Sequence, residues 1–347
     1  EARMFVGPQL EKLLESLTPG LELVKDYFDA VLVITNEKRE GVDIPVEIVE
    51  FNLTLRNLIR TPKRIRKIIA EFKPTIIHIH QANSVAFFSN LALGKYPKIP
   101  CVLTTWGSDI LLIPSQSFLL KQMVKYNLRK ANAITSDSVF MADEIKRIQP
   151  LSRSILIANF GIGFTPPKQV EKEKIIYSNR LHKPLYRIDA IIEAYKKMKQ
   201  HDSLQDWKLI IAAVGEETDK LKKIVGTEGI DGIEFVGWVD AKTNAQWYAR
   251  SSFWVSIPMS DATSISLLEA MACGCIPVVS DLPANREWIE DTKNGSVVKD
   301  VTSDFLTDAT QLDFKDAAGI NALLIEEHGT KAANKAKFIA LYDKLLN

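Results

Sequence analysis

Two carboxylates, Asp261 and Glu269, are separated by seven residues, three of which, Thr263, Ser264 and Ser266, carry hydroxyls. The surrounding residues set the local structure. An apolar run (253–257), a polar turn (258–264), a short helical segment (265–273), a stop at Gly274 and a second apolar run (275–280) describe a βαβ crossover. The turn places backbone N–H groups and the hydroxyls at a helix N-terminus, where unpaired amides and the helix dipole attract anions. One acid precedes the helix and the other lies within it, so both can face a ligand standing on that end. The same residues also suit purely local roles. Ser266-Leu-Leu-Glu269 has the spacing of a capping box, and Asp261 is of a type common in turns.

The stretch resembles the signature of retaining GT-B glycosyltransferases of family 4 (glycosyl transferases group 1). That signature is an acid, seven residues, then a Glu opening EAMA-x-G-x-P-V-V. Here it reads Glu269-Ala-Met-Ala-Cys-Gly-Cys-Ile-Pro-Val-Val. The first acid is Asp261 where the family usually has Glu, which keeps the charge and shortens the reach by one methylene. The resemblance implies an α/β chain with two Rossmann-like, doubly wound domains facing across a cleft. It also implies that Glu269 holds the ribose hydroxyls of a nucleotide-sugar donor and Asp261 a hydroxyl of the donor sugar. The turn residues Thr263, Ser264, Ile265 and Ser266 would then meet the diphosphate.

Further segments extend the likeness. Asn179-Arg180-Leu181 is similar to the family's Gly-Arg-Leu, which implies that Arg180 contacts the donor diphosphate. The family's lysine five residues on is replaced by Leu185; Lys183 and Arg187 are the nearby cations, and Lys183 is taken as its counterpart. The segment 233–239 (IEFVGWV) resembles the strand whose backbone lies against the nucleotide base, which implicates Gly237 and Val239. His78-Ile-His80-Gln-Ala-Asn83 resembles the family's His-x-His stretch, whose second histidine reaches the donor sugar or phosphate, here His80. By itself the His-x-His spacing also suits strand packing or metal, but no third ligand lies nearby. On the acceptor side the family's glycine-rich first loop is reduced to Gly7-Pro8, and its usual His-Gly is Trp106-Gly107; Gly7, Ser108 and Asp109 remain the acceptor-side candidates.

Composition places this chemistry in a globular chain. With 347 residues, 46% hydrophobic and 25% charged, the sequence can build two domains with separate cores. No apolar run approaches 18 residues, so no transmembrane helix is expected, and no leader is expected before the first element. Three cysteines, two of them flanking Gly274 in an apolar segment, suit buried thiols in a reducing cytoplasm better than a metal or redox site. Net charge is +1, yet residues 1–165 hold 21 Lys/Arg against 16 Asp/Glu, so the first half is basic.

Strands and helices alternate along the chain, the pattern of doubly wound parallel sheets. The segment Asn159–Pro167 breaks all periodicity and resembles the GT-B hinge. The expected domains are therefore 1–163, an acceptor-side unit, and 164–330, a nucleotide-sugar unit, with a last helix from about 331 to 347 crossing back onto the first. An amphipathic helix is expected over about 9–17, and another after Pro62, with Ile65, Ile68, Ile69 and Phe72 as its apolar stripe. Arg56, Arg60, Lys63, Arg64, Arg66 and Lys67 crowd the latter, and Lys121, Lys125 and Arg129 mark a second basic helix. Such faces are either solvated or suited to an anionic membrane surface.

The expectation is a cytoplasmic glycosyltransferase, peripheral on the inner membrane face, moving a hexose with retention from a nucleotide-diphosphate sugar. Its acceptor would be a glycan, a lipid-linked molecule or a small molecule, in cell-surface glycan or glycolipid synthesis. No cofactor, no metal and no nucleic acid partner is expected: no D-x-D triplet occurs, and no G-x-G-x-x-G follows a strand. A non-hydrolysing sugar-nucleotide epimerase and a nucleotide-sugar-binding module without turnover are the competing readings.

Overall fold

The structure is a computed structural model that describes residues 2–6 (backbone only), 23–36, 44–166, 170–312 and 316–347. The chain divides into two compact units, Glu1–Gly161 with Lys331–Asn347, and Ile162–Thr330.

The first unit is built on seven parallel strands: β1 (Ala2–Val6), β2 (Ala30–Thr35), β3 (Val46–Ile48), β4 (Ile76–His80), β5 (Cys101–Thr104), β6 (Ala133–Ser136) and β7 (Ile155–Ile157). Their order across the sheet is β3-β2-β1-β4-β5-β6-β7. Strand β4 is buried along its whole length, histidines included. A parallel sheet covered by helices on both faces leaves no polar side for alternate residues to meet, which is why His78 and His80 lie in the interior. The helix Lys331–Leu346 lays Phe338 and Tyr342 into this unit's core beside Phe28, Val33 and Ile76. Asn334 locks it there, its Oδ1 accepting the Asn159 backbone N–H at 3.1 Å.

The helix expected to begin at Pro62 starts seven residues earlier, at Leu55, and runs to Phe72. Thr54 caps it by accepting the Asn57 N–H at 3.2 Å, and Thr61 ties it to the Glu50 carbonyl at 2.7 Å. These bonds hold the first turns, so Pro62 sits inside the helix, where it withholds one backbone donor without ending it.

The second unit has six parallel strands: β8 (Glu173–Ser178), β9 (Lys208–Ala212), β10 (Ile233–Gly237), β11 (Ser251–Ser256), β12 (Ile276–Ser280) and β13 (Ser296–Val298). Their order is β10-β9-β8-β11-β12-β13. Period-two alternation splits its core into two layers. Ile176, Leu209, Ile211 and Val255 face one side; Ile175, Tyr177, Ile210 and Trp254 face the other. Chain direction across the sheet reverses between β8 and β11, which pair directly (Phe253 opposite Ile176, Trp254 opposite Tyr177). In open α/β sheets such a switch point opens a crevice beyond the carboxyl ends of the two strands. Whatever follows Ser178 and Ser256 is delivered to that crevice.

Candidate functional site

Arg180 follows β8 by two residues, and the turn carrying Asp261 and Ser264 follows β11. The switch point therefore brings them together from 81 residues apart: Arg180 Nη2 donates to Asp261 Oδ2 at 2.7 Å. Arg180 Nη1 also donates to Ser264 Oγ, and the guanidinium lies 4.4 Å from the centroid of the Tyr186 ring. The Arg180 side chain is 11% exposed and that of Asp261 23%. Burial pulls the guanidinium pKa down, and the Asp261 carboxylate together with Tyr186 and Tyr248 more than offsets this, so Arg180 stays charged. Burial pushes the Asp261 carboxyl above its usual value against the pull of Arg180. Its other oxygen, Oδ1, accepts the Ala262 N–H at 3.1 Å. The shorter Asp thus holds Arg180 in place within this unit.

The helix runs Ile265–Ala272, with Ser264 as its N-cap residue. Ser264 makes no side-chain cap bond, its hydroxyl being turned to Arg180. This removes the capping-box reading of Ser266 and Glu269, because Ser266 is the second helical residue and not the cap. The N–H groups of the first turn, at Ile265 and Ser266, have no intrahelical acceptor. Thr263, buried, receives the Trp288 indole N–H at 3.4 Å.

Glu269 is reached by a buried polar chain that the motifs did not indicate. Tyr248 OH donates to Glu269 Oε2 at 3.2 Å, and Asn179 Nδ2 donates to Tyr248 Oη at 2.7 Å. Asn179 also donates to Asn244 Oδ1 at 3.1 Å and accepts the Trp254 indole N–H at 2.9 Å. Tyr177 OH donates to the same Asn244 oxygen at 2.6 Å. Burial, and then the Glu269 charge, hold the Tyr248 phenol well above its ordinary pKa, so it remains a donor. Asn179, which stands where the family has Gly, is the hub. It joins the strand end bearing Arg180 to the helix bearing Glu269. Its only signal in the sequence was that departure.

The loop after Arg180 is fixed by backbone proximity. A Cβ on Gly215 would lie 2.4 Å from the His182 carbonyl oxygen, so only glycine lets the two segments touch. His182 Nδ1 lies 2.9 Å from Thr218 Oγ1, and Glu217 N donates to the His182 carbonyl at 3.0 Å. Of the two cations that follow Arg180 in this loop, Arg187 is committed elsewhere: its Nε and Nη2 donate to the Ile257 and Pro258 carbonyls at 2.6 and 2.8 Å. Lys183 caps the short helix Pro184–Tyr186 with its backbone. Its ammonium makes no hydrogen bond or ion pair with another described residue. Gly237 ends β10 at φ +70°, which suits glycine, and its carbonyl accepts the Ala213 N–H at 2.7 Å. Val239, two residues on, is half-buried against the second core layer.

In the first unit, β4 ends at His80, beside its own switch point between β1 and β4. His80 is fully buried. The Trp106 indole N–H donates to its Nδ1 at 3.2 Å, and its ring stacks on that of His78 with centroids 4.5 Å apart. His78 is spoken for by Tyr342 OH at 2.9 Å and Thr104 Oγ1 at 2.6 Å. Asp109, expected at an acceptor edge, is instead enclosed: its carboxylate accepts the N–H of Ala82 at 2.6 Å and of Trp106 at 2.9 Å. It is an internal tie between the segments after β4 and β5. Burial pushes its pKa up to about 6 against the pull of those amides. Ser108 is exposed at the start of a four-residue helix. Gly7 lies outside the described residues. Among the described residues no group of three or more His, Cys, Asp or Glu side chains is placed to hold a metal ion.

Both units have counterparts among known proteins. Residues 163–317 match the family described as glycosyl transferases group 1, and residues 21–138 match the glycosyl transferase 4-like family. A curated relative, an uncharacterized glycosyltransferase of Methanocaldococcus jannaschii, is 32% identical over 237 residues, covering 62% of this chain. The match spans 60% of that relative's length. Among solved structures, HepE of Anabaena in complex with UDP is 15% identical with a TM-score of 0.82, covering 99% of this chain and 100% of that one. A glycosyltransferase of Rickettsia africae is 14% identical with a TM-score of 0.76, covering 100% and 98%. These likenesses show a fold of two Rossmann-like units on the GT-B plan. Residues 163–317 thus form a domain of the glycosyl transferases group 1 type, with the signature helix at its switch point, and residues 21–138 one of the glycosyl transferase 4-like type.

Proposed function

We propose that the chain is a retaining glycosyltransferase that moves a hexose from a nucleoside-diphosphate sugar to a glycan, lipid-linked or small-molecule acceptor in cell-surface glycan or glycolipid synthesis. The observation that carries the reading is the charged Arg180, held by Asp261 and Ser264 beside the N-terminus of the helix Ile265–Ala272. Departure of the sugar leaves negative charge on the diphosphate. A preorganised cation and helix amides stabilise that charge without reorganising during the reaction. Lys183, with its ammonium uncommitted, is the second cation. Glu269, braced by Tyr248, is the proposed ribose ligand, and Gly237 and Val239 the strand end beside the base. His80 is the first unit's proposed contribution to turnover.

HepE is described in complex with UDP and with UDP-glucose, so a uridine diphosphate sugar is the donor to test first. A diphosphate brings roughly two negative charges and a helix N-terminus offers about half a positive one. Arg180 and Lys183 supply the rest, so the reaction is proposed to run without metal. The test is product analysis by NMR with UDP-glucose and an acceptor panel in excess EDTA. An α-linked product supports the reading, whereas a β-linked product or a requirement for magnesium overturns it. Conversion of donor alone to an epimer would identify the epimerase instead.

A further inference from the structure

The first unit carries an exposed apolar rim that the transfer reading does not use. The helix Leu55–Phe72 opens with Leu55 86% and Ile59 75% exposed, and Leu53 and Leu58 are exposed with them. Leu55, Leu58 and Ile59 share one helix face through i,i+3 and i,i+4 spacing. Beside that face Arg56, Arg60 and Lys63 form a second stripe. None of these three makes an ion pair or hydrogen bond with another described residue, and no Asp or Glu occurs between Glu50 and Glu71.

A second helix repeats the arrangement. Phe118–Lys130 opens with Phe118 73% and Leu119 78% exposed, followed one turn later by exposed Lys121. Both helices pack on the intervening helix Ser84–Leu93, through Arg66 to the Leu91 carbonyl and Asn90 to Asn127. Each joins consecutive parallel strands, so each runs back against the strand direction. Their first turns therefore lie at the carboxyl edge of the sheet, the edge at which β4 ends in His80. Large apolar side chains in water, ringed by uncompensated cations at one edge of a layer, are the makings of an interfacial surface.

We propose that this rim docks on an anionic lipid bilayer, with Leu55, Ile59, Phe118 and Leu119 entering the acyl boundary and Arg56, Arg60 and Lys63 meeting lipid phosphates. Charge decides between occupants. A second copy placed symmetrically on this face would set cation stripe against cation stripe. An anionic bilayer offers both hydrocarbon for the apolar residues and counter-charge for the basic ones. No helix among the described residues is long and apolar enough to cross a membrane, so contact is peripheral. Docking at this edge would present the first unit to acceptors that reside in lipid.

The experiment is flotation of the whole chain with vesicles of phosphatidylcholine alone or in equal parts with phosphatidylglycerol. It needs no donor, so its outcome is separate from that of the transfer reading. The wild type floats with the anionic vesicles and stays behind with the neutral ones. Replacing Arg56, Arg60 and Lys63 together by Gln lowers the partition coefficient about a hundredfold. Leu55→Ser with Ile59→Ser lowers it about tenfold or more, and circular dichroism melting confirms that both variants fold. Failure of the wild type to float, or flotation unaltered in both variants, overturns the proposal. So does a lipid-free, concentration-dependent dimer that the Leu55/Ile59 variant abolishes, because the face would then belong to a second copy.

Discussion

Arg180 and Asp261 are joined at 2.7 Å by a topological switch, each on the first loop beyond one of two neighbouring strands. The pair is buried enough that neither charge is stable alone. In the free protein Asp261 supplies the counter-charge, and Arg180 is thereby parked beside the helix end that opens at Ile265.

The brace behind Glu269 makes two substitutions diverge. Glu269→Gln is expected to lower affinity for a nucleoside diphosphate while the melting temperature barely moves, since Ser264 and not Ser266 stands at the cap. Tyr248→Phe unseats two partners at once, Asn179 and Glu269. It should cost about 1–3 kcal/mol of stability together with a loss of affinity. Calorimetric titration and thermal melting on both variants check this; unaltered affinity in Glu269→Gln would take that residue out of the site.

Gly215→Ala drives a methyl into the His182 backbone, with its nearest atom at 2.4 Å. Backbone cannot give way as a side chain can, so the segment carrying Arg180 and Lys183 must shift. A stability loss of about 1–3 kcal/mol is expected, and donor affinity should fall with it. Wild-type melting and binding in this variant would show that the approach is looser than the structure makes it.

Stability should depend on pH through Asp109. Its folded-state pKa, about 6, stands above the ordinary 3.8. A raised carboxyl pKa means the folded state favours the protonated form, so this contribution is complete below about 4 and is lost as pH rises through about 6. A rise of that size corresponds to roughly 3 kcal/mol. Denaturant unfolding of wild type and Asp109→Asn across that window measures it: the difference between the two should shift by this amount in the wild type's disfavour as pH rises. A constant difference would mean that the amides of Ala82 and Trp106 cancel the effect of burial.

His80→Ala removes a wholly buried ring, so a stability loss of about 2–5 kcal/mol is expected from the cavity alone. A role in turnover shows separately, as a fall in kcat larger than any rise in the donor's dissociation constant. Trp106→Phe, which removes the N–H donated to His80 together with the part of the indole that carries it, should lower kcat in the same direction. Full turnover in both variants would reduce His80 to packing.

Most of the frame was legible because parallel strands write themselves as short apolar runs separated by helical spacing. Strands β11 and β12 overlap the apolar runs 253–257 and 275–280. The three-residue β13 was missed, since Ser296–Val298 is too short to stand out behind the Asn294-Gly295 turn. The signature stretch revealed Asp261, Ser264 and Glu269 but not what they touch. Asp261 pairing with Arg180 depends on β8 lying beside β11, which no local pattern encodes. Asn179 follows β8 whereas Asn244 and Tyr248 share the helix Ala241–Arg250, and their convergence was invisible for the same reason. Asp109 misled because a carboxylate after a strand resembles a ligand, while its real partners are backbone amides that sequence cannot display.

The central claim is that the second unit holds a nucleoside diphosphate at Arg180. Isothermal titration of UDP in excess EDTA, with wild type and Arg180→Ala, tests it most directly. The account predicts saturable binding without metal in the wild type and a loss of about 2–5 kcal/mol in the variant. Melting lost through an unpaired Asp261 should be recovered by adding Asp261→Asn, without recovery of binding. Equal affinity in wild type and Arg180→Ala, or binding that appears only when magnesium is restored, would contradict it.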